Sequence, residues 1–281
     1  MSVITIAAAQ MTSGIDPEAN LVQVAASAKA AHDAGAAMLF LPEMALLLDR
    51  DRARSAAHMT SEAASPWPTR LAAIAADNAI WLHAGSAPFL GDAGPKRVNR
   101  SLVFAPDGRL AARYDKAHMF DVDLPGGESW RESASYAGGD NLVLADTPAG
   151  RMGLTICFDL RFPELFAALV GAGATIIAVP AAFTVPTGSA HWHVLLRARA
   201  IETGCYIVAA AQGGDHADGR STFGHSLIID PWGTVLAEGP DGNAASDSPQ
   251  IVTAGVDLAA VERARQAIPL DRSRAVRTIR M

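Results

Sequence analysis

Apolar and polar positions follow two periods along this chain, and the switches between them mark its elements. Residues 3–10, VITIAAAQ, form a short continuous apolar run, the mark of a buried strand. Asp16-Pro17-Glu18 then opens a helix, with Asp16 at the cap and Pro17 at the first helical position. Leu21, Val24, Ala25, Ala28 and Ala31 recur at helical spacing until Gly35 ends it. A second strand, Ala37 to Leu41, follows at once. A strand, helix, strand unit of this length predicts parallel pairing through a right-handed crossover.

Met44 to Thr60 reads as irregular or short-helical, Pro66 to Asn78 as a helix and Ile80 to Ala87 as a strand. Ser101–Phe104 and Leu110–Tyr114 are strands joined at Pro106-Asp107-Gly108, a strong hairpin signal. Asp121 to Gly139 is a long polar connection that carries Glu128 and Glu132, and loops of that length inside a compact domain are often functional. Leu154, Thr155 and Ile156 end a further strand, Asp159 to Pro163 hold polar and turn-forming residues, and Pro163-Glu164 opens a helix marked by Leu165, Phe166, Leu169 and Val170.

The remaining elements are a strand at Thr175 to Val179, a helix at Gly188 to Thr203, and a buried strand at Cys205 to Ala211 in which Cys205 is a core residue. A hairpin follows around Pro231-Trp232-Gly233, then a strand at Ile251–Val256 and a helix at Leu258 to Ala267. The two halves echo each other, each with parallel strand and helix units plus a hairpin. That pattern predicts an α/β fold with sheets sandwiched together and clad in helices.

Composition narrows the partners. The chain has 281 residues, half of them hydrophobic, enough to bury a large core. A net charge of −6 without long charged runs argues against nucleic acid or an anionic membrane surface as the main partner. No apolar run reaches the roughly 18 residues of a membrane span, and the N-terminus enters a strand with no basic segment before it. Cys157 and Cys205 are the only cysteines, without metal-ligand spacing, so a reducing, cytoplasmic setting is expected. Asn99-Arg100-Ser101 matches a glycosylation acceptor by chance in such a setting.

Three chemical groups each fall just beyond a strand: Glu43, Lys116 and Cys157. Taken singly, each has an ordinary structural reading as a surface carboxylate, a solvated ammonium and a small core thiol. Brought together at one sheet end they would supply a base, an oxyanion partner and a nucleophile. A strand-to-helix turn at Cys157 would also lower the thiol pKa through the helix N-terminus.

The stretches LFLPEMAL around Glu43, RYDKAHMFDVDLPGG around Lys116 and GLTICFDLRFPELF around Cys157 resemble the nitrilase, or carbon–nitrogen hydrolase, superfamily. The resemblance continues through AAFTVPTGSAHWHVLLRARAIETGCYIVAAAQGG and FGHSLIIDPWG, and so covers nearly the whole chain. It is strongest to the branch that holds the Nit amidases for deaminated glutathione and for ω-amides of 2-oxo acids. The resemblance implies one domain over residues 1–281, built as a four-layer α-β-β-α sandwich of two mixed sheets with helices on the outer faces. It implies Glu43 as base, Lys116 as oxyanion stabiliser, Cys157 as nucleophile, Glu132 as a second carboxylate holding the site, and the Phe158 backbone N–H as an oxyanion donor.

The reaction so implied is cleavage of a primary amide of a small carboxylic acid, releasing ammonia through a thioester, with no metal or organic cofactor and with a homodimer or higher even assembly. Nitrile, N-carbamoyl or ureido hydrolysis and a catalytically silent dimeric binding protein are the alternatives. Arg161, Phe183 and His193 are expected at the substrate, and Arg161, Arg197 or Arg199 could pair with a substrate carboxylate or equally form structural ion pairs. His193 departs from the Nit-like pattern HWE, which bears on side-chain preference. His191 and His193, two apart on a helix, point to different faces and so are not expected to share a metal. Gly224-His225-Ser226 lacks the glycine after serine of a nucleophile elbow.

Overall fold

The computed structural model describes residues 3–91, 94–124, 127, 129–242 and 250–269. β1 (Ile4–Gln10), α1 (Pro17–Asp33) and β2 (Met38–Phe40) form the first unit, with β1 and β2 parallel. The Asp16 side chain caps α1 by accepting a hydrogen bond from the Glu18 N–H, and Gly35, at φ +73°, makes the left-handed turn toward β2. α2 (Arg52–Ser55) is a single turn, and α3 (Trp67–Asp77) leads to β3 (Trp81–His83), parallel to β2.

The strand expected over Ile80 to Ala87 is in fact two. β4 (Ala87–Leu90) pairs with β5 (Arg97–Phe104), and β5 stands between β3 and β4. The break falls at Gly85, φ +63°, where a Cβ would collide with the carbonyl oxygens of Pro42 and Leu41. Only glycine allows that approach, which lays the bend against the backbone next to Glu43. β6 (Leu110–Asp115) completes the predicted hairpin with β5. Within the long connection, β7 (Asp121–Asp123) and β8 (Ser129–Arg131) form a small hairpin, followed by one 3-10 turn at Glu132–Ala134. Glu128 lies outside the described residues.

The second half opens with β9 (Leu144–Thr147), a strand its short pattern did not announce, antiparallel to β10 (Gly150–Leu154). α4 (Pro163–Gly171), β11 (Ile176–Ala178), α5 (Val185–Thr203) and β12 (Tyr206–Ala209) follow, and β10, β11 and β12 are parallel. α5 starts at Val185, earlier than its apolar spacing suggested, because Pro186 suits the first turn of a helix. β13 (Gly213–Asp215) and β14 (Ser221–Phe223) make a separate hairpin, and β15 (Leu227–Ile229) and β16 (Val235–Glu238) extend the sheet antiparallel. β17 (Gln250–Val256) crosses back to pair with β1 along its whole length, and α6 (Leu258–Ala267) ends the described chain.

The sheets therefore run β17-β1-β2-β3-β5-β4, with β6 on β5, and β16-β15-β12-β11-β10-β9. The two-residue period of β1 sets the layers. Ala7 and Ala9 pack with Leu21 and Val24 of α1 and Leu71 of α3, whereas Ile6 and Ala8 join Met152, Ile176 and Ile207 in a core between the sheets. Phe166 of α4 and Trp192 and Leu196 of α5 cover the second sheet. The result is the expected mixed-sheet sandwich with helices outside. No helix among the described residues is long and apolar enough to cross a membrane.

Candidate active site

Glu43 lies three residues past β2 and is 5 % exposed. Its Oε1 accepts hydrogen bonds from Asn99 Nδ2 (2.8 Å) and Lys116 Nζ (3.0 Å), and its Oε2 accepts one from the Ala182 N–H (3.1 Å). Its backbone carbonyl accepts from Gln212 Nε2 (2.9 Å), and Gln212 is itself locked to Ser13 on both sides of its amide. A buried carboxylate so surrounded by donors has one position and one orientation.

Lys116 follows β6 directly, is almost fully buried, and donates to Glu43 and to both oxygens of Glu132 (2.9 and 3.1 Å). Burial alone would discharge its ammonium, but the carboxylates of Glu132 and Glu43 outweigh it and raise its pKa well above the ordinary value. Glu132 also accepts the Phe120 N–H (2.6 Å), which fixes the long connection against the lysine.

Cys157 begins the short 3-10 helix Cys157–Arg161 at φ +49°, a left-handed conformation uncommon outside glycine, and its N–H donates to Pro180 O (2.9 Å). The Glu43 carboxylate and the Lys116 ammonium both act on its thiol, in opposite directions. Here the expectation of a lowered thiol pKa fails: burial and the adjacent Glu43 charge push it well above the usual value, and the Lys116 ammonium does not reverse them. One 3-10 turn provides too little dipole to win that contest. The resting sulfur is a thiol that needs a base, and Glu43 lines the same cavity.

Asp159 joins the two halves of this site. Fully buried, it accepts from Tyr114 Oη (2.7 Å) and the Ile156 N–H (2.9 Å) on one oxygen, and from the His118 N–H (3.0 Å) and ring Nδ1 (2.7 Å) on the other. The residues flanking Lys116 are thereby tied to the turn that carries Cys157. Asn99, Gln212 and Asp159 were not anticipated. Asn99, the first residue of the glycosylation-like triplet, is fully buried in β5 with its amide on Glu43. A lone amide or carboxylate inside an apolar run is the signal that marks such residues.

A cavity of about 590 Å³ opens over these groups, lined among others by Phe158, Arg161, Phe183, Phe120 and Trp130. The Arg161 guanidinium stands 5.9 Å from the Phe158 ring centroid and 5.6 Å from that of Phe183, and reaches His191 Nδ1 (3.3 Å). Among the described residues no carboxylate pairs with it. Two other arginines on the wall hold carboxylates: Arg131 pairs with Asp123, and Arg220 with Asp218.

Three residues considered for the substrate do not line this cavity. His193 does not line the cavity; its Nε2 lies 2.9 Å from Glu238 Oε1, because two residues along a helix rotate it away from the face of His191. Arg197 donates to Gly233 O, and Arg199 donates to Leu160 O and pairs with Glu202 while its guanidinium covers Phe166. Both arginines are structural. Trp192 is a core residue, and so is Cys205, as its sequence setting indicates.

Residues 5–266 match the family model for carbon–nitrogen hydrolases. A deaminated glutathione amidase from Yersinia enterocolitica is 43% identical over 242 residues, 85% of this chain and 84% of that protein. Among solved structures, Saccharomyces cerevisiae Nit3, a member of branch 10 of the nitrilase superfamily, superposes with a TM-score of 0.84 at 28% identity, over 98% of this chain and 97% of that one. A variant of the amidase from Nesterenkonia sp. AN1, carrying the acetamide moiety of fluoroacetamide on its active-site cysteine, matches with a TM-score of 0.76 at 26% identity, over 96% of each chain.

Proposed function

The chain belongs to the carbon–nitrogen hydrolase family and is an amidase, and from that premise we propose that Cys157, Glu43 and Lys116 carry out amide hydrolysis, with Glu132 holding the lysine. The observation that carries this reading is that the Cys157 thiol shares one buried pocket with the Glu43 carboxylate and the Lys116 ammonium, which are hydrogen-bonded to each other. Glu43 takes the thiol proton as Sγ attacks the amide carbon, and the carbonyl π electrons move onto oxygen. That oxyanion is received by the Lys116 ammonium and the Phe158 backbone N–H. The carbon–nitrogen bond then breaks, the protonated Glu43 gives its proton to the leaving nitrogen, and a thioester remains. Glu43 next deprotonates a water that attacks the thioester, and the acid leaves as the thiol regains its proton.

The substrate we infer is an amide of a 2-oxo dicarboxylic acid, with deaminated glutathione favoured over the smaller ω-amides. A cavity of about 590 Å³ with Arg161 free of any carboxylate among the described residues suits a ligand that brings its own. Deaminated glutathione carries a carboxylate at each end, and its scissile amide joins a 2-oxo acid to cysteinyl-glycine. Its leaving group is therefore that dipeptide amine, whereas an ω-amide releases ammonia. The chain is further inferred to form a homodimer or higher even assembly, supported by the exposure of Ile201 (47 %) on α5 and of Trp232 (59 %) beside Gly233, which packs on Ile201.

Release of the 2-oxo acid, cysteinyl-glycine and ammonia is measured across deaminated glutathione, ω-amides of 2-oxo acids, N-carbamoyl amino acids and nitriles. Highest kcat/KM on deaminated glutathione, lost in Cys157→Ala, is expected. Preference for an ω-amide would reassign the substrate, and turnover by Cys157→Ala would refute the chemistry.

A further inference from the structure

Outside the reaction pocket, three side chains from separate elements converge on one point. His193 on α5, His225 just before β15 and Glu238 at the end of β16 each offer a ligand atom, and these atoms all lie within 4.8 Å of one another. His193 Nε2 and His225 Nδ1 stand 2.9 Å and 2.7 Å from the same oxygen, Glu238 Oε1. The two rings are inclined at 71° with centroids 5.2 Å apart, so their nitrogens approach the carboxylate from different directions instead of stacking.

The cluster is held from behind and open in front. The His225 N–H donates to Pro240 O (3.0 Å) and its carbonyl accepts Trp192 Nε1 (2.7 Å), while the Phe223 ring lies 4.4 Å from the His225 ring. The side chains of His193, His225 and Glu238 are 35 %, 21 % and 40 % exposed, which leaves room for an ion and its water.

We propose that His193, His225 and Glu238 bind a divalent transition ion, Zn²⁺ above all, with water completing a tetrahedron. Two imidazoles and one carboxylate form a borderline donor set that suits zinc and its neighbours and not magnesium or calcium, which take oxygen ligands. Ligands on a tetrahedral zinc, at bonds of about 2.0–2.2 Å, stand roughly 3.3 Å apart. Glu238 therefore withdraws slightly from each ring, and the two imidazole nitrogens, which lie within 4.8 Å of each other, draw together to the same spacing. Each imidazole now donates an N–H to Glu238, and coordination moves that proton to the other ring nitrogen or to solvent.

The ion would fasten α5 to β16 behind one wall of the cavity. Thr184 and Thr187, at the start of α5, line the cavity, as does Thr222 next to Phe223. Gly188 packs on Phe223 so closely that a Cβ would collide with its ring. The ion takes no part in the amide reaction, and the inference stands independently of the substrate.

The test uses the Cys157→Ala protein, so that the reactive thiol cannot compete for metal. After dialysis against a chelator, calorimetric titration with Zn²⁺ is expected to give one ion per chain and a raised thermal midpoint, with Mg²⁺ inert. Adding His193→Gln or Glu238→Gln should weaken uptake at least tenfold, while melting without metal stays close to that of the parent. Co²⁺ in the parent should show the visible bands of a tetrahedral nitrogen and oxygen site without thiolate charge transfer, a readout that holds even if a variant fails to fold. Absence of saturable uptake, thiolate charge transfer, or uptake undiminished by both substitutions would overturn the proposal.

Discussion

Replacing Lys116 by methionine removes the only cation between Glu43 and Glu132 among the described groups and leaves two buried carboxylates facing each other. Two separable losses follow. Breaking a buried ion pair by deleting one partner costs about 3–5 kcal/mol of stability, because an uncompensated charge stays behind. Deleting one oxyanion donor lowers kcat by roughly 10²–10³-fold, about 3–4 kcal/mol at the transition state. The two are told apart by adding Glu132→Gln. In the double variant one stranded charge is gone, so part of the stability should return, with a coupling of about 1–3 kcal/mol. The kcat should stay as low as in the single variant. Urea unfolding of wild type and both variants, alongside steady-state kinetics on the same preparations, gives the comparison. A Lys116→Met protein within tenfold of wild-type kcat, or a double variant no more stable than the single one, would refute the reasoning.

Other consequences follow from individual contacts. His83, fully buried on Phe40 with Ser101 Oγ at its Nε2 (3.1 Å), has its pKa lowered from 6.5 to about 3 by burial, so the fold holds it neutral. A depressed pKa contributes stability above the unfolded value that is lost as pH falls from about 6.5 toward 3, on the order of 5 kcal/mol in all. Acid titration of His83→Gln, which cannot take the charge, should show a shallower loss over that window; an unchanged slope would exclude His83 as the cause. Asn99→Ala removes a hydrogen bond to the Glu43 carboxylate and should lower kcat roughly ten- to a hundredfold with KM little changed. A rise in KM alone would assign Asn99 to substrate binding instead. Arg161→Ala should raise KM for a carboxylate-bearing amide about tenfold or more while leaving a neutral amide nearly unaffected; equal losses on both would point to a structural arginine.

Glu43, Lys116 and Cys157 were legible because each stands within three residues of a strand end, and strand ends are written in local apolar runs. Helix boundaries were legible for the same reason, through Asp16-Pro17 and Pro163. What local pattern does not record is which distant strand becomes a neighbour. Nothing in Gln250–Val256 announces that it returns to β1, and nothing in Ile80–Ala87 shows that β5 will separate its two parts, although Gly85 marks the break. Likewise, periodicity put His191 and His193 on different faces but was silent on Glu238, which arrives from a hairpin 45 residues on. The thiol pKa was misjudged because the sequence shows a helix start and hides the burial around it.

The most direct measurement is acid quench of the wild-type protein during turnover of deaminated glutathione, followed by intact mass and peptide mapping. The account predicts one 2-oxoglutaryl group per chain, as a thioester on Cys157, and none in Cys157→Ala, which also has no turnover. Turnover by Cys157→Ala, or an acyl group carried on Cys205 or another residue, would contradict it.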